Sequence, residues 1–211
     1  YEGITGKQIA EMIGDPPSVP KDRAQWFIPS DYLGADGRSH EAQRERGRFH
    51  WLALDVDTNN LDLAYVVAAL KATVPGARLL IYSSRSATAD DRKWRALVPL
   101  KVPVPGSDYQ ATAEAFFDLL EEASQGVLIP DRALARPGQL VYLPNRGAFY
   151  ERHHERGAPL LLTPEHPIMQ RRETVAAAER EAEEERQRRA ERRRARGENS
   201  PVDHFNAAHG L

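Results

Sequence analysis

The chain has no cysteine, which excludes disulfides, thiolate catalysis and any cysteine-ligated zinc or iron–sulfur centre. No apolar run approaches the ~18 residues of a membrane helix, and the first residues carry no signal-peptide pattern. Charge of one sign is not in excess either. Lys and Arg number 29 against 31 Asp and Glu, a net of -2, so any nucleic-acid partner would need a local basic groove. Internal repeats are missing as well. What is present is 211 residues, 41% of them hydrophobic, enough for one packed domain with appendages.

Four zones differ in composition. Residues 1–48 read as an N-terminal extension, in which Thr5 caps a short helix reaching Met12 and Trp26-Phe27-Ile28 forms a short strand. The stretch Gly34 to Gly47 is polar and reads as a loop. Residues 49–165 form the expected core. Phe49 to Val56 is a strand, and Asn59 or Asn60 caps a helix carrying Leu63, Val66, Val67 and Leu70. Leu79 to Ser83 and Trp94 to Leu100 are two further strands. Ser107 caps a second helix with Tyr109, Ala113, Phe116, Phe117 and Leu120 on one face, and Leu140 to Leu143 is a fourth strand. The order β-α-β-β-α-β predicts an α+β fold of the split βαβ, RRM-like or ferredoxin-like kind. Phe149 to Leu162 would add a C-terminal hairpin. Residues 166–197 are almost all Ala, Glu, Gln and Arg and predict a long charged helical linker, supported by i,i+4 pairs such as Glu184 with Arg188. Apolar residues return over 198–211, as at the start of a further domain.

The chemistry concentrates around Leu52-Ala53-Leu54-Asp55-Val56-Asp57. Strand side chains alternate, so Leu52, Leu54 and Val56 share the face that helices would cover. Asp55 and Asp57 share the other, which a βαββαβ unit leaves open. Two carboxylates spaced in this way suit Mg²⁺ or Mn²⁺, which bind one or two carboxylates together with water and phosphate oxygens. An EF-hand is excluded, because Val66 stands where its final glutamate belongs. By the same alternation Lys93 and Arg95 would lie beside the two aspartates, where a triphosphate needs cations. Ser83-Ser84-Arg85-Ser86 offers hydroxyls and a guanidinium at a strand end. Asp131, after the apolar Val127 to Pro130, is a candidate third ligand or general base. His50 is expected to point inward, and His153 and His154 to lie on the surface.

The runs Leu54-Asp55-Val56-Asp57, Tyr82-Ser83-Ser84-Arg85-Ser86, Lys93-Trp94-Arg95-Ala96-Leu97-Val98-Pro99-Leu100, Asp131 and Tyr142-Leu143-Pro144 together resemble the archaeo-eukaryotic primase superfamily. The resemblance is to the primase-polymerase domains of phage and plasmid replication proteins, and it covers about Phe49 to Pro144. It implies an RRM-like palm with Mg²⁺ or Mn²⁺ held by Asp55, Asp57 and Asp131. It also implies nucleoside triphosphates contacted by Ser84, Arg85, Ser86, Lys93 and Arg95. The partners it implies are a DNA template and primer, with a helicase domain or partner beyond the helical segment, in the cytoplasm of a bacterial host. The family's second motif is Ser-x-His, whereas this chain has Ser84-Arg85-Ser86. The expected activity is nucleotidyl transfer by a DNA primase/polymerase. The alternatives are a non-catalytic DNA-binding replication-initiator module and a metal-dependent nuclease.

Overall fold

A computed structural model describes residues 3–195. Its contacts divide the chain after Gln170 into two units, so the stretches 1–48 and 49–165 fall within one unit. Helix α1 (Gly6–Gly14) opens with a capping box, in which the Thr5 side chain accepts from the Gln8 N–H while the Gln8 side chain accepts from the Thr5 N–H. Thr5→Ala is therefore expected to cost about 1 kcal/mol in a urea denaturation series. After a 3₁₀ turn at Lys21–Arg23 come β1 (Trp26–Phe27), α2 (His40–Arg46), β2 (Arg48–Val56), α3 (Leu63–Thr73), β3 (Leu79–Ser83) and β4 (Trp94–Pro105). Then follow α4 (Gly106–Ala123), a 3₁₀ turn at Arg132–Ala135, β5 (Val141–Tyr142), β6 (Arg152–Glu155) and α5 (Pro167–Ala195).

The class is α+β. The main sheet has the order β2-β4-β3-β6 with every neighbouring pair antiparallel. Leu54, Ala96 and Ile81 form a cross-strand row on one face, the side that α3 and α4 cover. Val66 and Leu70 from α3, and Tyr109, Phe116, Phe117 and Leu120 from α4, are buried there. The helical spacings read from the sequence thus find their core.

The fourth strand is corrected. Only Val141 and Tyr142 of the expected segment are extended, and they pair with β1 in a separate two-stranded ladder. The Tyr82 hydroxyl donates to the Tyr142 carbonyl at 2.7 Å, which holds β5 over the face of the main sheet rather than at its edge. β6 fills the remaining place, paired with β3. The expected hairpin at Phe149 to Leu162 is likewise corrected. Its first half is β6, and its second half only bridges Ala77 and Leu100 in parallel through Ala158 and Leu160.

The carboxylate face is also less open than expected. Ile9 and Ile13 of α1 are buried in the same core, and the β1–β5 ladder adds a partial roof. Three local readings change with it. The stretch Gly34 to Gly47 contains α2, capped by Ser39 and anchored by the fully buried Gln43. Asn59 and Asn60 do not cap α3, because both take left-handed backbone angles, φ 64° and 45°, in a turn that ends at the N-cap Asp62. Ser107 does not cap α4, whose N-cap is Pro105.

The second unit is described only through α5, a helix whose described side chains from Arg171 onward are exposed or half-buried. Glu185 pairs with Arg189 and Glu184 with Arg188 one turn apart, as the charge pattern predicts. The segment 198–211, expected as the start of another domain, lies outside the described residues.

Candidate metal and nucleotide site

β2 delivers Asp55 to the centre of the sheet because the residues before it are apolar and pair along their length with β4. Asp55 stands opposite Arg95, and Arg95 stands opposite Tyr82 on β3. The Arg95 Nε donates to Asp55 Oδ2 at 3.0 Å, with the two side chains only 15% and 16% exposed. The other oxygen, Asp55 Oδ1, is buried with no hydrogen-bond partner. Burial pushes the Asp55 carboxyl up to about 6; the Arg95 charge and hydrogen bond pull it down, and the negative charges of Asp57 and Asp131 push it up further.

Asp57 follows the end of β2 and is exposed. Asp131 is tied to the same place through the backbone, its N–H donating to the Asp55 carbonyl at 2.9 Å. Its carboxylate accepts from the Ala133 N–H at 2.9 Å and so caps the adjoining 3₁₀ turn. The chain thereby brings three carboxylates to the end of one strand. Among the described residues no three acidic or histidine side chains already enclose a cation position. The donor set still fits a hard divalent cation. An acceptor-only oxygen, buried without a donor and flanked by two further carboxylates, is left unsatisfied until a cation or a proton reaches it.

The expected basic pair divides. Arg95 grips Asp55, whereas Lys93, just ahead of β4, pairs with Asp91 at 3.4 Å. The Ser84-Arg85-Ser86 loop is engaged internally. The Ser84 and Ser86 hydroxyls lie 3.2 Å apart, and the Arg85 guanidinium donates to the Arg146 carbonyl at 2.7 Å. Gly147 is required beside it, since a Cβ there would stand 2.1 Å from the Arg85 carbonyl oxygen.

Three residues join the site that the sequence reading missed. The Tyr142 ring lies 5.5 Å from the Arg95 guanidinium carbon and 5.9 Å from Lys21 Nζ. Tyr82, fully buried in the row beside Arg95, has its phenol pushed well above the usual range by burial. Alternation along β3 was the available sign for Tyr82, because it shares a face with Leu80 and the aspartate row. No pattern in the sequence signals Lys21 or Tyr142.

The histidines lie elsewhere. His50 is not inward: its side chain is 45% exposed and stands 3.4 Å from Asp31, which also binds Arg48. The strand irregularity between Phe49 and Trp51 breaks the alternation on which the inward reading rested. His153 bonds Glu155, which Lys71 also holds.

No family model, no curated protein and no solved structure matches this chain.

Proposed function

We propose that this is a nucleotidyltransferase domain of the primase-polymerase type, acting in the replication of phage or plasmid DNA. The observation that carries the reading is the bare, buried Asp55 Oδ1 between Asp57 and Asp131 with Arg95 fixed alongside. The run β2-α3-β3-β4-α4, with β2 next to β4 and β4 next to β3, supports an RRM-like palm whose last strand is replaced by β6.

In the proposed reaction a 3′-hydroxyl attacks the α-phosphate of a nucleoside triphosphate. A phosphodiester bond forms, pyrophosphate leaves, and the hydroxyl proton passes to solvent or a carboxylate. Asp55, Asp57 and Asp131 would hold Mg²⁺ or Mn²⁺, which supplies charge stabilisation at the attacking and leaving oxygens when bound. Arg95 keeps Asp55 in one orientation and places a positive charge beside the phosphates. Lys93 and Lys21 add cations at the mouth. Asp131 is held at a fixed distance from Asp55 by its own backbone.

The test is primer extension with Mn²⁺ or Mg²⁺, comparing wild type with Asp57→Ala. A cation held by these residues also raises the melting temperature of the wild type and not of that variant. Absence of both effects removes the proposal.

A second reading has one observation in its favour. Ser84, Arg85 and Ser86 are bonded within the chain, and the histidine of the family's second motif is missing. Both suit a replication-initiator module that binds DNA without transferring nucleotides. DNA affinity that falls with salt and survives Asp57→Ala, with no incorporation, would select it.

A further inference from the structure

On the carboxylate face of the sheet the first unit holds a cleft of about 1030 Å³. Its walls are α1, residues 25–33, and the Trp51–Pro99 pair of β2 and β4. Trp26, Tyr32 and Trp51 supply its aromatic surface, and the Arg38 guanidinium carbon stands 5.4 Å from the Trp26 ring centroid.

Two features aim Trp51 into this cleft. Residues two apart on a regular strand share a face, but β2 is irregular between Phe49 and Trp51. Phe49 turns to the helix side and stacks on Tyr109 at 3.7 Å. Trp51 turns the other way and meets α1, where a Cβ on Gly6 would come within 3.0 Å of its indole. Strand irregularities of this kind re-aim side chains next to functional sites. Trp51 and Asp55 then lie on one face of β2, about 13 Å apart from the strand rise. A strand of stacked nucleotides at about 3.4 Å each covers that distance in about four nucleotides.

We propose that the cleft is the track of an unpaired nucleic-acid strand, whose bases stack on Trp51 and Trp26 while its end reaches the Asp55 carboxylates. The inference rests on the nucleotidyl-transfer reading and adds the path of the strand to it. Aromatic faces accept any base, and a neighbouring guanidinium contributes both to stacking and to phosphate neutralisation, so the track is sequence-tolerant. The cleft volume lies at the upper end for small-molecule sites, which suits an extended ligand better than a single metabolite.

Polarisation of a fluorescein-labelled oligothymidylate, titrated with the chain in EDTA and without triphosphate, reads strand binding apart from transfer. Saturable binding is expected, weakened roughly 5- to 150-fold by Trp51→Leu and by Trp26→Leu, the range that losing one stacked base produces. Trp51→Phe should keep most of it, and melting temperatures report whether each variant folds. Emission gives a second readout. Of the three tryptophans, Trp94 is fully buried, so the strand should quench Trp26 and Trp51, and each leucine variant should lose part of that quench. Where Trp51→Leu does not fold, the wild-type quench and Trp26→Leu decide. The track is overturned if the wild type does not bind, if both folded variants bind as tightly as wild type, or if blunt duplex competes as well as single strand. Absent incorporation with strand binding and quench intact counts against the transfer reading and leaves the track standing.

Discussion

Asp57→Ala is expected to lower templated incorporation by about 10³-fold or more, the scale on which a single preorganised electrostatic contact to the transition state acts. The fold should be untouched. Asp57 is exposed beyond the end of β2, and among the described residues no hydrogen bond or ion pair holds its carboxylate. Removing it also removes one of the charges that push Asp55 upward, so the variant should melt no lower, and slightly higher, than wild type near neutral pH. Lost activity with unchanged or improved stability is the pattern of a residue retained for function at a cost to the fold. Single-turnover primer extension and a thermal melt on the same preparation check both halves. Equal extension by the two proteins would remove Asp57 from the site.

The parts of this molecule that were legible in the sequence are those in which one element carries its own period. β2, β3, β4, α3 and α4 each show a run or spacing that buries one face, and strand alternation sufficed to put Asp55 opposite the core. What was not legible depends on partners distant in sequence. β5 has two residues and no periodicity to read; its place is set by the Tyr82 hydroxyl, 60 positions away, and by β1. α2 is held by the buried amide of Gln43, which donates to the Tyr32 and Gly37 carbonyls, and a polar anchor leaves no apolar stripe. At the site, alternation predicted Arg95 beside Asp55 but not Lys93 turning to Asp91, because Lys93 precedes the paired part of β4 and no ladder fixes it. The irregularity at Phe49 and Trp51 reverses the facing of two aromatics without any glycine or proline between them to announce it.

Arg95→Met is expected to destabilise the protein by about 3 kcal/mol at about pH 8, and by much less at about pH 5. The magnitude follows from burial on both sides of the ion pair: without Arg95, the Asp55 carboxylate loses its hydrogen bond and remains in a low-dielectric site. The pH dependence follows from the proton. The Asp55 carboxyl in the folded chain is raised from the usual 3.8 to about 6, so the folded state holds its proton more tightly than the unfolded state. That contribution to stability is fully present below about pH 4 and is lost as pH rises through 6. Arg95 restrains the rise, so its removal extends the protonated range upward and deepens the loss above it. The gap between variant and wild type must therefore open with increasing pH, and urea midpoints across that range measure it. The double variant Asp55→Asn with Arg95→Met should lose most of this pH response, because no carboxylate remains to be stranded. A cation bound at the carboxylates would act on Asp55 in the same sense as Arg95. Mn²⁺ should then recover part of the stability of Arg95→Met above pH 6 and none of that of the double variant. A response to Mn²⁺ in both would place the cation elsewhere.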